Sequence, residues 1–151
     1  MSAIKKLEQL GLKLNKPSLP AANYVPIKKS GKNIYISGQL SADENGIISG
    51  ILGKNMQVEE AQKAAASCAL SILSHIVYSA NIELDEIKSV VKLTILVSSS
   101  ADFTNHHLVA NGASDLLVEV LGDKGKHARA AFGVTALPLG AAVEIEAIIE
   151  V

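Results

Sequence analysis

The sequence predicts an α+β domain in which one sheet carries two helices packed on the same face. Three observations lead there. A chain of 151 residues with 48% hydrophobic side chains is long enough for one domain with its own core. Two stretches repeat apolar residues at three- and four-residue spacing, the mark of an amphipathic helix, and segments rich in β-branched residues surround them. The resulting order is strand, strand, helix, strand, helix, strand, strand, and helices separated by strands in a small domain favour a helical layer on a sheet.

Each element follows from local chemistry. Ser2 can cap a short helix with Ile4, Leu7 and Leu10 on one face, stopped by Gly11. Residues 1 to 14 thus form an N-terminal helical extension of a single domain spanning 1 to 151. The segment from Lys16 to Pro20 reads as an extended linker, because proline biases its predecessor away from helix. Tyr24–Lys28 is the first strand, with Pro26 suggesting an edge, and Asn33–Gly38 is the second, after a turn at Ser30–Asn33. Residues 41 to 55 carry Asp43-Glu44-Asn45-Gly46 and further glycines, a loop with room for one short hairpin. A long helix is expected from Met56 to Ser79, with Val58, Ala61, Ala65, Cys68, Ile72 and Ile76 on its apolar stripe. A strand over Ile87–Val97, a helix over His106–Leu121 ended by Gly122, and strands over Arg129–Ala136 and Val143–Val151 complete the chain.

Composition excludes several function classes. The net charge is −1 and only 3% of the residues are aromatic. Nucleic-acid binding needs clustered basic charge and, for single strands, stacking surfaces, so neither is expected here. One cysteine, Cys68, allows no internal disulfide, and no apolar stretch reaches the roughly 20 residues of a membrane span. The cytoplasm is the expected compartment.

A single arginine, Arg129, stands among the 14 Lys and Arg residues. Its rigid fork of donors matches a carboxylate with two parallel hydrogen bonds, which ammonium cannot do. It reads either as a substrate anchor or as the partner of a nearby glutamate. Alternation along the strands sorts Val143, Ile145, Ala147, Ile149 and Val151 from Glu144, Glu146 and Glu150, and Ala130, Phe132, Val134 and Ala136 from Arg129, Ala131, Gly133 and Thr135. If the more apolar sets meet the helices, Arg129, Glu144 and Glu146 share the uncovered face, where adjacent strands could pair the first two. Such a half-covered sheet suggests a second subunit.

The blocks Ala128-Arg129-Ala130-Ala131, Leu137-Pro138 and Val143-Glu144-Ile145-Glu146-Ala147-Ile148 resemble the C-terminal signature of the YjgF/RidA family. Tyr24-Val25 and Ile34-Tyr35-Ile36-Ser37-Gly38-Gln39 resemble its first two strands. The resemblance covers most of the chain beyond residue 20. It implies a chorismate-mutase-like fold, a homotrimer with pockets between subunits, and hydrolysis of enamine and imine intermediates such as 2-aminoacrylate to a 2-keto acid and ammonia. It implies that Arg129 grips the substrate carboxylate, that Glu144 positions or activates water, and that Tyr24, Ser37 and Gly38 line the pocket. No metal or other cofactor is implied, since an imine carbon is already electrophilic. The alternatives are a non-catalytic trimer binding small carboxylates and an endoribonuclease, an activity attached to family names that the near-neutral charge disfavours.

The chain departs from the active members in its N-terminal extension, in a longer segment between Asp102-Phe103 and Arg129, and in placing His107 where a pocket asparagine is common. The segment from His106 to Asp115 therefore reads as particular to this branch. Adjacent His106 and His107 point about 100° apart on a helix and have no further partner set, which argues against a metal site. Cys68 reads as an inert core residue, His75 on the long helix and His127 beside Arg129 as structural polar or interface residues, the latter able to tune the pocket, and Glu146 as a salt-bridge or interface residue.

Overall fold

A computed structural model describes residues 1–18, 20 and 22–151. Leu19, within the expected linker, lies outside the described residues. Helix α1 (Ala3–Gln9) starts at Ser2, whose Oγ accepts the Lys5 backbone N–H at 3.3 Å, and ends at Gly11 with φ of 70°. Its buried side chains are Ala3 and Leu7, whereas Ile4 and Leu10 are exposed, which corrects the expected Ile4-Leu7-Leu10 face. The helix rests on α3 and on the turn at Leu84–Glu86, where Asp85 Oδ1 accepts the Ala3 N–H at 3.1 Å, and this support covers only the side of Ala3 and Leu7.

Strand β1 (Ile27–Ser30) begins three residues later than expected, and β2 runs from Asn33 to Leu40. Tyr24 and Val25 precede the ladder, although the Pro26 carbonyl still accepts the Ser37 N–H at 2.9 Å. A small hairpin of β3 (Ala42–Asp43) and β4 (Gly46–Ile47) occupies the glycine-rich loop. Helix α2 (Val58–Tyr78), strand β5 (Ser89–Ser98), helix α3 (His106–Leu121), strand β6 (Ala128–Val134) and strand β7 (Val143–Glu150) follow. The main sheet has the order β1-β2-β7-β5-β6. Only β5 and β6 are parallel, as a strand–helix–strand crossover through α3 requires.

Helices α2 and α3 lie on one face of this sheet. Ile34, Ile36, Leu93, Ile95, Val97, Val143, Ile145, Ala147 and Ile149 point into that layer and are buried. Small residues let the helices approach closely. A side chain at Gly112 of α3 would run into the Gln62 backbone of α2, so this crossing admits no Cβ. No helix is long and apolar enough, among the described residues, to cross a membrane.

The assignment of Arg129 to the uncovered face is wrong. Arg129 pairs with Leu93, and Ala131 with Ile95, both fully buried against the helices. Neighbours across a ladder share a face, so Arg129, Ala131 and Gly133 face α3. Ala130, Phe132 and Val134 take the open side, where Phe132 is 43% exposed. The reason is the edge position of β6: its more apolar side need not meet the helices of its own chain. For β7 the assignment holds, with Glu144 and Glu146 opposite the core.

Candidate functional site

The expected site residues fall into two groups. Ser37, Gly38 and Glu144 gather where β2 meets β7, with Tyr24 in the stretch leading into β1 on the other side of β2. Ser37 and Gly38 stand opposite the single residue Glu146, so one extra residue bulges out of the ladder between Ile36 and Gln39. The Ser37 hydroxyl donates to the Val25 carbonyl at 2.7 Å, which ties the bulge to the stretch after Tyr24, itself 59% exposed. Gly38 lies against Glu144: a Cβ there would meet the Glu144 carboxylate and come 3.0 Å from its Cδ. Glycine thus makes room for the acid. Glu144 is half-buried, and burial, with the Glu146 carboxylate adding to it, pushes its pKa above the ordinary glutamate value.

A part-buried polar chain holds the bulge from the helix side. Gln39 Nε2 donates to the Ser37 carbonyl at 2.9 Å. Its Oε1 accepts from the Ser71 hydroxyl at 2.7 Å and lies 3.1 Å from His75 Nε2. An amide oxygen only accepts, so His75 carries its proton on Nε2 and its Nδ1, 2.8 Å from Ser79 Oγ, accepts from that hydroxyl. His75 is 4% exposed, and burial lowers its pKa, which favours this neutral form. Cys68 sits in the same core, with its thiol pKa pushed far up by burial and its Sγ 3.6 Å from the Val143 carbonyl. Cys68 is the core residue read from the sequence, and His75 is a structural residue buried beside it.

Arg129 stands apart, on the other face. Its Nη1 donates to Asn111 Oδ1 at 2.9 Å and to Ser114 Oγ at 3.1 Å, and its Nη2 donates to the His107 carbonyl at 3.1 Å. All three acceptors come from α3 and none is charged. The ion pair found among the described residues joins Lys126 and Asp123 at the surface, so no carboxylate neutralises Arg129. Nε–H and one Nη2 hydrogen remain without a partner among the described residues. The glutamate partner envisaged from the sequence is absent, and so is adjacency of β6 and β7, because β5 lies between them.

Sequence reasoning missed Asn111 and Ser114 as partners of Arg129. The signal was available: His107, Asn111 and Ser114 recur at i, i+4 and i+7, one stripe of a helix. His127 completes the cluster, its Nε2 2.8 Å from Ser114 Oγ and its Nδ1 2.6 Å from the Gly125 carbonyl. His106 points elsewhere, to Ser99 Oγ at 3.1 Å and edge-on to Phe103. Burial, then the neighbouring His107, lowers its pKa. No group of three or more His, Cys, Asp or Glu able to hold a metal converges among the described residues.

Residues 15–151 match the profile of the endoribonuclease L-PSP family. The chain belongs to that family, which includes the RidA proteins. This L-PSP protein is 47% identical over 146 residues to protein TCP17 of Trypanosoma cruzi, covering 95% of the chain and 91% of that protein. It is 36% identical over 117 residues to the 2-iminobutanoate/2-iminopropanoate deaminase of Mus musculus, covering 78% of the chain and 73% of that protein. Among solved structures, the protein Atu1372 from Agrobacterium tumefaciens superimposes with a TM-score of 0.90 at 42% identity, covering 99% of this chain and 91% of that one. The helical extension before residue 15 lies outside the family profile, and the α+β fold is that of the family.

Proposed function

We propose that this L-PSP protein hydrolyses small carboxylated enamines and imines of the 2-aminoacrylate type to 2-keto acids and ammonia. The observation that carries the reading is the state of Arg129, a guanidinium held by three neutral acceptors, with two donors spare and no carboxylate beside it. An uncompensated, oriented guanidinium is an anion receptor, and a substrate carboxylate fits its geometry. The likeness to the mouse deaminase supports the same chemistry.

The step needs little from the protein. The enamine tautomerises to an imine, and a water oxygen adds to the imine carbon as Glu144 takes the water proton. Glu144 returns that proton to the nitrogen, the hydroxyl of the resulting carbinolamine yields the second, and as the C–N bond breaks ammonia leaves and the carbonyl forms. A raised pKa makes Glu144 a better base than an ordinary surface glutamate. Tyr24, Ser37 and Gly38 shape the surface beside it.

One subunit does not assemble this site. Arg129 and Glu144 lie on opposite faces, two strands apart and three residues along, which at strand spacing is on the order of 14 Å. A three-carbon acid cannot touch both. The reading therefore includes an oligomer, a trimer by family resemblance, in which Arg129 of one copy meets Glu144 of another. Exposed Phe132 on the edge strand provides apolar surface for such a contact.

The test is keto-acid release while 2-aminoacrylate is generated in situ. Wild type should accelerate release and Arg129→Lys should not, because lysine keeps the charge and loses the fork. Mixed oligomers of Arg129→Ala and Glu144→Gln should regain part of the activity that each lacks alone. Wild-type-like turnover by Arg129→Lys refutes the assignment.

A further inference from the structure

We propose that Ser114 and His127 are positioning residues for Arg129, which together make its guanidinium a receptor of one orientation for a planar carboxylate. The inference rests on Arg129 being the anion anchor. It starts from the directions of three hydrogen bonds. The Gly125 carbonyl can only accept, so His127 Nδ1, 2.6 Å away, carries a hydrogen. In the neutral ring Nε2 is then an acceptor, and it faces Ser114 Oγ at 2.8 Å. Ser114 has one hydrogen to give and gives it to His127. Its oxygen lone pairs are left to receive Arg129 Nη1 at 3.1 Å. Each hydrogen has one place to go.

That order has a consequence for the arginine. Asn111 Oδ1 takes the second Nη1 hydrogen and the His107 carbonyl takes one from Nη2. With Nη1 saturated and Nη2 half-used, the spare donors sit on neighbouring nitrogens, Nε and Nη2. Two such donors match the two oxygens of a carboxylate side-on. A surface arginine normally loses side-chain freedom when it binds; here three bonds from α3 impose that order beforehand. Without Ser114 to anchor it, or His127 to orient Ser114, the fork can swing off the helix.

Because the chain has one arginine, its Nε–Hε signal in a ¹⁵N-correlated NMR spectrum needs no assignment. In wild type we expect slow rotation about Nε–Cζ, seen as resolved Nη signals, and a shift on titration with pyruvate. Ser114→Ala removes one oxygen atom, and His127→Asn serves as a second variant. Both should give averaged Nη signals and pyruvate affinity weaker by about tenfold, equivalent to ~1.4 kcal/mol. An arginine as restricted, and as tight for pyruvate, in Ser114→Ala as in wild type overturns the proposal. So does a wild-type arginine that already rotates freely or ignores pyruvate. If wild type holds its arginine and binds pyruvate but leaves 2-aminoacrylate untouched, the receptor stands and the hydrolytic reading falls.

Discussion

Gly112→Ala puts two opposed effects on one residue of α3, and the structure decides between them. Helix propensity alone predicts a gain, since alanine in a helix interior is about 1 kcal/mol better than glycine. Packing predicts a loss. The new Cβ would run into the Gln62 carbonyl group, 2.7 Å from both its carbon and the Gln62 Cα, whereas carbon atoms in contact prefer roughly 3.5–4.0 Å. The obstacle is backbone, so no side chain can rotate away, and α2 and α3 must separate by about 0.8 Å or more. A gap of that size weakens dispersion across the layer of Ala61, Ala65, Val109 and Ala113, all fully buried. Overpacking of this kind costs about 1–3 kcal/mol and occasionally more. With backbone as the obstacle the cost falls in the upper part of that range, ~2–3 kcal/mol, and the helical gain of about 1 kcal/mol leaves a net loss of about 1–2 kcal/mol. For a chain of this length that lowers Tm by roughly 2–8 °C. Gly112 also lies between Asn111 and Ser114, so the shift displaces two acceptors of Arg129. Thermal unfolding followed by circular dichroism reads the sign directly, and an unchanged or higher Tm refutes the reasoning.

Two further predictions concern Glu144. Gly38→Ala should reduce turnover about as much as Glu144→Gln, roughly 10²–10⁴-fold for loss of a general base. Its Tm should change little, because the new methyl meets the end of a mobile side chain; separated effects of the two variants on keto-acid release would refute the contact. Burial and the neighbouring Glu146 hold the folded pKa of Glu144 above 4.5. The stability linked to this group is fully present below its unfolded pKa and is lost as pH rises through the folded value. Glu144→Gln should therefore raise Tm near pH 7 to 8, with the advantage shrinking towards pH 4; a gap that widens on acidification contradicts this.

Local chemistry in the chain determined the elements and their order. Helix α3 over His106–Leu121 coincides with its expected span, and α2 differs by only two residues at its start and one at its end. Repeats of three and four residues are decided within one turn, and Gly122 with φ of 65° supplies a local stop. The faces of α2 and β7 were legible for a related reason: one side of each is plainly more apolar. The lone arginine was likewise visible as the residue type suited to a carboxylate, and His107, Asn111 and Ser114 form a stripe that helical spacing alone defines.

What only the tertiary structure decided is which groups meet. Insertion of β5 between β7 and β6 depends on pairing residues far apart in sequence, which no local pattern encodes. That insertion removed the expected meeting of Arg129 with Glu144. Alternation divides β6 into two sides, but both contain small apolar residues, so the pattern does not say which side the helices cover. The ladder says it, by setting Arg129 beside buried Leu93 and turning Phe132 outward. Likewise a bulge of Ser37 and Gly38 around a glutamate arises only when β2 and β7 are paired in register, because it is a mismatch between two strands and belongs to neither alone.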